Sequence, residues 1–260
     1  MDRGFSLLEL MVAMVLSLVV LGLTIAFLIP TMRASARGSA RVEMQQQAVV
    51  ALGRIASDLE RSAPAAVSLN TGAYSAILPK SSPTATPPPQ KTPVVLAVQR
   101  LANVNSSGDQ MWENQMEIYV WDPGAGNPPE KGTVVAVPGA AYTYYTGALI
   151  CYTLKNGTGG LTINHPACSC GCYPSAPTKL TDTQLTGFPN DGYVQQTDIL
   201  ATGVEFFVVS MSNATGTCPP LPVISQPISL YISMVRQAAT GAAQMESFQF
   251  QRTVSLRNSN

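Results

Sequence analysis

A run of twenty residues without a charged side chain, residues 10–29, constrains this chain more than any other feature. As an α-helix that rises about 1.5 Å per residue, it reaches about 30 Å, the thickness of the hydrocarbon core of a bilayer. The segment before it is too short for the charged region of an ordinary secretory signal, and no small-residue cleavage site follows it. The run therefore predicts a membrane-spanning helix near the N-terminus.

Glu9 stands at the edge of this run, between Leu8 and Leu10. A carboxylate within a membrane helix costs about 2.5 to 3.5 kcal/mol on insertion scales, so it is normally paired or functional. A cut between Gly4 and Phe5 would create an α-amino group four residues before Glu9. That amine can neutralise Glu9 within one subunit, or reach the Glu9 of a neighbour whose helix is axially shifted.

Residues 4–9, Gly-Phe-Ser-Leu-Leu-Glu, together with the apolar residues after them resemble the class III signal of type IV pilins and type II secretion pseudopilins. The resemblance implies that residues 1–4 are a leader and that prepilin peptidase, a membrane-embedded aspartyl peptidase, cuts after Gly4. It also implies that Phe5 becomes the N-methylated terminus and that Glu9 contacts the amine of the neighbouring subunit during filament assembly.

The same resemblance implies the surroundings of the chain. The expected partners are prepilin peptidase, the inner-membrane assembly platform and other pilins, major and minor, in a filament. The expected location is the inner membrane, crossed once with an exported C-terminal domain, and then the pilus filament at the cell surface. Residues 254–258 and 200–209 resemble PilW-type minor pilins, and a length of 260 residues is large beside typical major pilins.

The predicted function is therefore a minor pilin, an assembly subunit of a type IV pilus with a tip or priming role. A type II secretion pseudopilin shares every motif used here and stays open as an alternative. A second alternative is a membrane-tethered exoplasmic binding module that never joins a filament.

Composition argues against other classes of protein. A single histidine, His165, leaves little material for a Ser-His-Asp triad or a multi-histidine metal site. Fifteen Lys and Arg balance fifteen Asp and Glu, so there is no basic excess to hold a phosphate backbone. We expect no enzymatic activity, no cofactor and no specific nucleic-acid partner.

Pro30 closes the apolar run, at a position where a proline bends or ends a helix. Residues 31–63 then carry one apolar stripe at helical spacing, formed by Val42, Val49, Leu52, Ile55 and Leu59. We expect a kink at Pro30 between a membrane or filament-core half of the helix, residues 5–30, and an amphipathic half, residues 31–63.

Residues 64–260 are predicted to form one β-rich globular domain. A Pro-rich loop at 78–94 precedes seven strand-like runs, at 94–99, 116–121, 133–137, 142–154, 199–211, 228–235 and 247–256. Turn residues separate these runs, which favours an antiparallel meander. The predicted fold class is α+β, with the long N-terminal helix packed on an antiparallel sheet as in pilins.

All five cysteines follow the predicted anchor, so export makes disulfides the expectation. Cys151 and Cys218 are each expected to pair with one of Cys168, Cys170 and Cys172, with the connectivity open. The Cys-rich loop at 165–172 also contains His165, and His165 with the three clustered cysteines has the ligand count of a structural zinc site. One-residue gaps between these cysteines disfavour zinc, so no metal is expected.

Overall fold

The computed structural model describes residues 7–69, 94–104, 106, 110–122, 133–136, 143–155, 180, 194–211, 227–237 and 245–256. A helix, α1, and a short 3-10 turn, Pro64–Ala66, precede the strands. The bounds are α1 Leu7–Glu60, β1 Val67–Leu69, β2 Val94–Val104, β3 Gln110–Asp122, β4 Thr133–Ala136, β5 Thr143–Lys155, β6 Val194–Met211, β7 Ile228–Gln237 and β8 Met245–Val254.

The strands form one antiparallel sheet in the order β1-β2-β3-β5-β6-β7-β8. Strand β4 lies off this path, because it pairs with the first residues of β5 while β3 pairs with the remainder of β5. Every pairing joins strands that are consecutive in chain order, except that β3 pairs with β5 across β4, so the sheet is close to a simple meander. The structure confirms the predicted α+β fold, a long N-terminal helix with an antiparallel sheet.

All seven predicted strands are present, although β2, β3 and β6 extend beyond the runs predicted at 94–99, 116–121 and 199–211. The first residues of β3, for example, pair with the end of β2, where Val104 lies opposite Gln110. Strand β1 is not predicted from the sequence, because its three residues are all buried and show no alternation.

Strand β8 has the alternation that the sequence predicts. Val254 and Leu256 are buried, and Phe248 and Phe250 pack against the same core. The residues between them are exposed: Ser247, Gln249, Gln251, Thr253 and Ser255. Arg252 interrupts the apolar face because its guanidinium reaches the helix end and lies 3.9 Å from the carboxylate of Glu60.

The helix packs on the sheet through a face that the predicted stripe describes only in part. Leu52, Ile55 and Leu59 are buried as expected, whereas Val42 and Val49 are 53% and 45% exposed. Small residues and one methionine occupy the covered face instead: Ala40, Met44, Ala48, Ala51 and Ala56. Alanines let the helix approach the sheet closely, so the larger valines lie on the opposite side.

Pro30 lies inside α1, which continues from Leu7 to Glu60 as one element. The proline therefore does not end the helix, and the kink expected at Pro30 stays a prediction. Its missing N–H removes one backbone hydrogen bond. The hydroxyl of the next residue, Thr31, lies within hydrogen-bond distance of the carbonyl oxygens of Phe27 and Leu28, at 3.1 and 2.8 Å.

The sheet is buried on both faces along β2, β3 and β5. One face packs against α1, with Tyr119 and Trp121 at its centre. On the opposite face Ile118 and Val120 form a second core, which Leu180 joins. The backbone N–H of Leu180 donates to the hydroxyl of Ser68 at 3.1 Å, which ties this residue to β1.

Gly203 in β6 has a conformation that other residues rarely adopt, with φ of 70°. It lies where the pairing of β5 with β6 shifts register, as at a β-bulge. A Cβ at this position would lie 2.8 Å from the carbonyl oxygen of Val235. Only glycine therefore satisfies both the dihedral angle and the close approach of β7.

We expect Gly203→Ala to lower the free energy of unfolding by about 1 to 3 kcal/mol, through backbone strain and the clash with Val235. Gly38→Ala is the matched control, since no atom lies within 4 Å of its added Cβ. The control should leave stability unchanged or raise it by up to about 1 kcal/mol. Urea unfolding of the full chain in detergent measures both; equal effects of the two variants contradict the assignment.

Candidate functional site

The N-terminal part of α1 projects away from the sheet. Between residues 7 and 39 every side chain is exposed except that of Ala36, which is half-buried. Leu7 and Phe27, for instance, are 80% and 75% exposed. This projecting segment (residues 7–39) is about 50 Å long, and α1 is the one helix in the described part of the chain with the length and composition to cross a membrane.

The two hydroxyl side chains within the apolar run, residues 10–29, bond to their own helix. The hydroxyl of Ser17 donates to the carbonyl oxygen of Ala13, and that of Thr24 to the carbonyl oxygen of Val20, both at 2.8 Å. Such bonds to the preceding turn satisfy both hydroxyl donors without water. Residues 10–29 therefore present an apolar surface suited to lipid or to the apolar helices of other subunits.

Glu9 lies in the first turn of α1, and its side chain is exposed. An acid at this position interacts favourably with the positive end of the helix dipole. Gly4 and Phe5 lie outside the described residues. The structure thus places Glu9 at the distal end of the projecting segment, far from the sheet.

Ion pairs hold the middle and the end of the helix to the last two strands. Arg236 of β7 pairs with Glu43. Arg252 of β8 pairs with Glu60, and Glu246 of β8 lies 3.9 Å from Arg37. These pairs are exposed, so each contributes about 0 to 1 kcal/mol.

A second group of charges lies between the helix and the centre of the sheet, around the buried carboxylate of Glu117. Its Oε2 accepts hydrogen bonds from the hydroxyl of Thr153 at 2.9 Å and the thiol of Cys151 at 3.1 Å. The guanidinium of Arg100 lies 3.6 Å from the other oxygen, and that of Arg54 lies 3.9 Å from Oε2. Sequence reasoning missed this group.

Asp58, one helical turn after Arg54, extends this anchoring cluster, whose members are Arg54, Asp58, Arg61, Arg100, Glu113, Glu117, Tyr119, Cys151, Thr153 and Asp198. Asp58 is buried, accepts a hydrogen bond from the phenol of Tyr119, and pairs with Arg100 at 3.3 Å. Arg54 also pairs with Asp198 at 2.8 Å. Because Arg54 and Asp58 each meet charges on the sheet, the cluster fixes how the helix is rotated on it.

Arg100 also pairs with Glu113 at 2.8 Å, and Arg61 binds the other oxygen of Glu113 at 3.1 Å. Burial opposes the charge of Arg100, yet the carboxylates of Asp58, Glu113 and Glu117 raise its pKa above the ordinary value. The hydrogen bond from Arg54 lowers the pKa of Asp198. Both shifts favour the ionised forms that make the pairs.

Burial keeps two other groups of the cluster, the thiol of Cys151 and the phenol of Tyr119, in their neutral forms. Desolvation, together with the hydrogen bond to Glu117 and its negative charge, raises the pKa of the Cys151 thiol. Desolvation and nearby negative charge likewise raise the pKa of Tyr119. Cys151 and Tyr119 therefore stay protonated and serve as hydrogen-bond donors.

Cys151 differs from its expected role as half of a disulfide. Its thiol is free and buried, because β5 directs it toward the carboxylate of Glu117 beneath α1. The other four cysteines, with His165, lie outside the described residues, so their disulfides and the disfavoured zinc site stay predictions. Within the described ranges, no group of three His, Cys, Asp or Glu side chains is arranged to hold a metal ion.

Comparison with known proteins bears on the projecting segment. Residues 1–25 match a family model described as the prokaryotic N-terminal methylation motif. No curated protein and no solved structure matches the chain. The motif marks a type IV pilin-like or pseudopilin-like precursor, a structural kind of protein that prepilin peptidase processes and that assembles with other pilins. The apolar helix is consistent with inner-membrane anchoring of such a precursor.

The raised pKa of Cys151 predicts a dependence of stability on pH. A folded-state pKa above the unfolded value of about 8.5 means that stability is fully present below pH 8.5 and is lost as pH rises. The wild type should lose up to about 1.4 kcal/mol per pH unit more than Cys151→Ala above this pH.

Unfolding free energies of both proteins between pH 7 and pH 11, roughly the window set by cysteine ionisation, measure this difference. Cys151→Ser is the control, since its hydroxyl keeps the donor to Glu117 without a comparable titration. It should flatten the pH dependence as Cys151→Ala does. Identical slopes in all three proteins would contradict the raised pKa of the Cys151 thiol.

Proposed function

We propose that the chain is a minor pilin of a type IV pilus, cleaved after Gly4, methylated at Phe5 and inserted into the filament through its N-terminal helix. The observation that carries the proposal is that the methylation motif runs directly into the exposed, projecting part of α1. The methylation motif covers residues 1–25, and the helix that begins within it projects about 50 Å without a buried residue before Ala40.

The apolar run of the projecting segment, residues 10–29, requires a partner, because an exposed apolar surface of about 30 Å is unfavourable in water. A bilayer covers it before assembly, and the equivalent helices of other pilins cover it within a filament. The head domain (residues 40–69 and the strands) has its own buried core, which contains no residue of the projecting segment. This division allows the segment to leave the membrane while the domain stays folded.

Glu9 supplies the contact that registers one subunit against the next. Cleavage after Gly4 places the new amine four residues, about one helical turn, before Glu9. In an apolar environment, an unpaired carboxylate is strongly disfavoured and a pair with an amine is favoured. A neighbouring subunit shifted along the filament can supply that amine.

The proposal assigns the other partners and the role within the filament. Prepilin peptidase and the inner-membrane assembly platform act on the precursor while the head domain is exported. A tip or priming position follows from the large head domain, and the PilW-type subgroup from residues 200–209 and 254–258. A deletion strain distinguishes a pilus from a secretion system, since loss of surface pili supports this proposal and trapping of exported enzymes supports a pseudopilin.

Glu9→Ala should leave cleavage after Gly4 largely intact but reduce the chain in sheared filaments by about tenfold or more, because breaking a buried charge pair costs several kcal/mol. Ser17→Ala is the matched control, since the Ser17 hydroxyl bonds only within its own helix. Immunoblots of sheared and membrane fractions compare the variants. Normal filament entry of Glu9→Ala contradicts the pairing.

Gly4→Trp should leave most of the chain as full-length precursor in the membrane, because a bulky side chain at the cut hinders the peptidase. Gly4→Ala serves as the control and should be cleaved in part. Intact-mass spectrometry separates precursor from mature chain and detects the methyl group on Phe5. Efficient processing of Gly4→Trp contradicts the cleavage assignment.

A further inference from the structure

Three arginines follow the apolar run at a spacing of four residues: Arg33, Arg37 and Arg41. All three are exposed, and no acidic residue occurs between residues 10 and 42. The helix therefore carries an uninterrupted positive stretch of three charges, the arginine row, between the apolar run and the head domain.

The arginine row lies on the side of α1 that faces the sheet. Positions seven apart share a helix face, and the residues seven positions after the three arginines are Ala40, Met44 and Ala48, all buried against the head domain. The opposite side of the same stretch is uncharged and exposed, with Ser35, Ser39, Val42, Gln46 and Val49. The arginines thus point into the space beneath the head domain, while the uncharged side stays open to a neighbouring helix.

The distances along the helix suit the headgroup layer of a bilayer. With the apolar run across the hydrocarbon core, Arg33 lies about 6 Å beyond it and Arg37 about 12 Å beyond it. The headgroup layer on each side is about 5 to 8 Å thick. Side chains on a helix tilt toward its N-terminus, so these guanidinium groups reach back toward the membrane. Arg41 lies farther out, about 18 Å from the core.

Within the described residues, the arginine row forms one long ion pair. Arg37 lies 3.9 Å from Glu246, and both side chains are partly exposed. Arg33 and Arg41 form no ion pair with any residue in the ranges that the structure describes. Guanidinium groups bind phosphate oxygens through paired hydrogen bonds, and anionic lipids attract basic residues next to a membrane helix.

We propose that the arginine row binds the phosphate groups of anionic phospholipids in the leaflet at the carboxyl end of the apolar run. The inference rests on the proposed function only for membrane anchoring before assembly. Contact with lipid phosphates sets the depth of the helix and directs the head domain over the membrane surface. Because the contact is electrostatic, it is reversible when the subunit is drawn out of the bilayer.

The test uses the full chain in mixed micelles that contain phosphatidylglycerol and phosphatidylcholine with identical acyl chains. Native mass spectrometry counts the bound molecules of each lipid. The wild type should retain phosphatidylglycerol in clear excess, with an upper bound on the order of fivefold per arginine. The triple variant Arg33→Gln, Arg37→Gln, Arg41→Gln should bring the ratio close to one.

The triple replacement by lysine is the matched control, because it keeps the charges and should keep most of the excess. Added salt should reduce the excess in the wild type. Arg33→Gln alone removes a side chain with no ion pair to the described residues, and it should lower the ratio without altering the thermal unfolding of the head domain.

Equal binding of the two lipids by the wild type overturns the proposal. An unchanged excess in the triple Gln variant overturns it as well, because the lipid then binds through other residues. Precursor and mature chain are measured separately. A failure of cleavage or methylation, which tests the proposed function, is therefore distinguishable from a failure of lipid binding.

Discussion

The buried carboxylate of Glu117 is the interaction on which the arrangement of helix and sheet depends. Arg54 from the helix and Arg100 from β2 meet around it, and Asp58 binds Arg100 one helical turn further on. Removing one partner from a buried charge group costs about 3 to 5 kcal/mol, because the remaining charge is left unpaired. Apolar packing alone tolerates sliding and rotation of a helix, whereas these directional contacts favour one position.

Because α1 is one helix, fixing its C-terminal half on the sheet also sets the direction of the projecting segment. Residues 7–39 continue the axis that the head domain sets, and the contact that they make with the sheet is the weak pair of Arg37 with Glu246 at 3.9 Å. The rotation that seats Ala48 and Ile55 on the sheet leaves Val42 outward. By helical spacing it also sets the side of α1 on which Arg33 and Arg37 lie. One helix thus connects the head domain to an apolar segment and sets the orientation of both.

Patterns with a short period were readable in the sequence. The alternation of Phe248 to Leu256 predicts a strand and its buried face, because each residue of a strand points opposite to its neighbours. The helix face was harder to predict, since alanines such as Ala48 contribute little to an apolar pattern yet occupy the closest contact. The charge of Glu117 was missed because a single acid within an apolar strand does not reveal which distant arginines approach it.

The sequence by itself determined the N-terminal segment: its charge-free length, the acid at its edge and the methylation motif are all local, and a helix satisfies its own backbone wherever it lies. It also determined that strands follow the helix. Only the tertiary structure decided which helix face is covered and that the Cys151 thiol donates to a buried carboxylate. It also decided that the carbonyl of Val235 lies too close to Gly203 for any side chain there. These features depend on residues far apart in the chain, and no local pattern records their proximity.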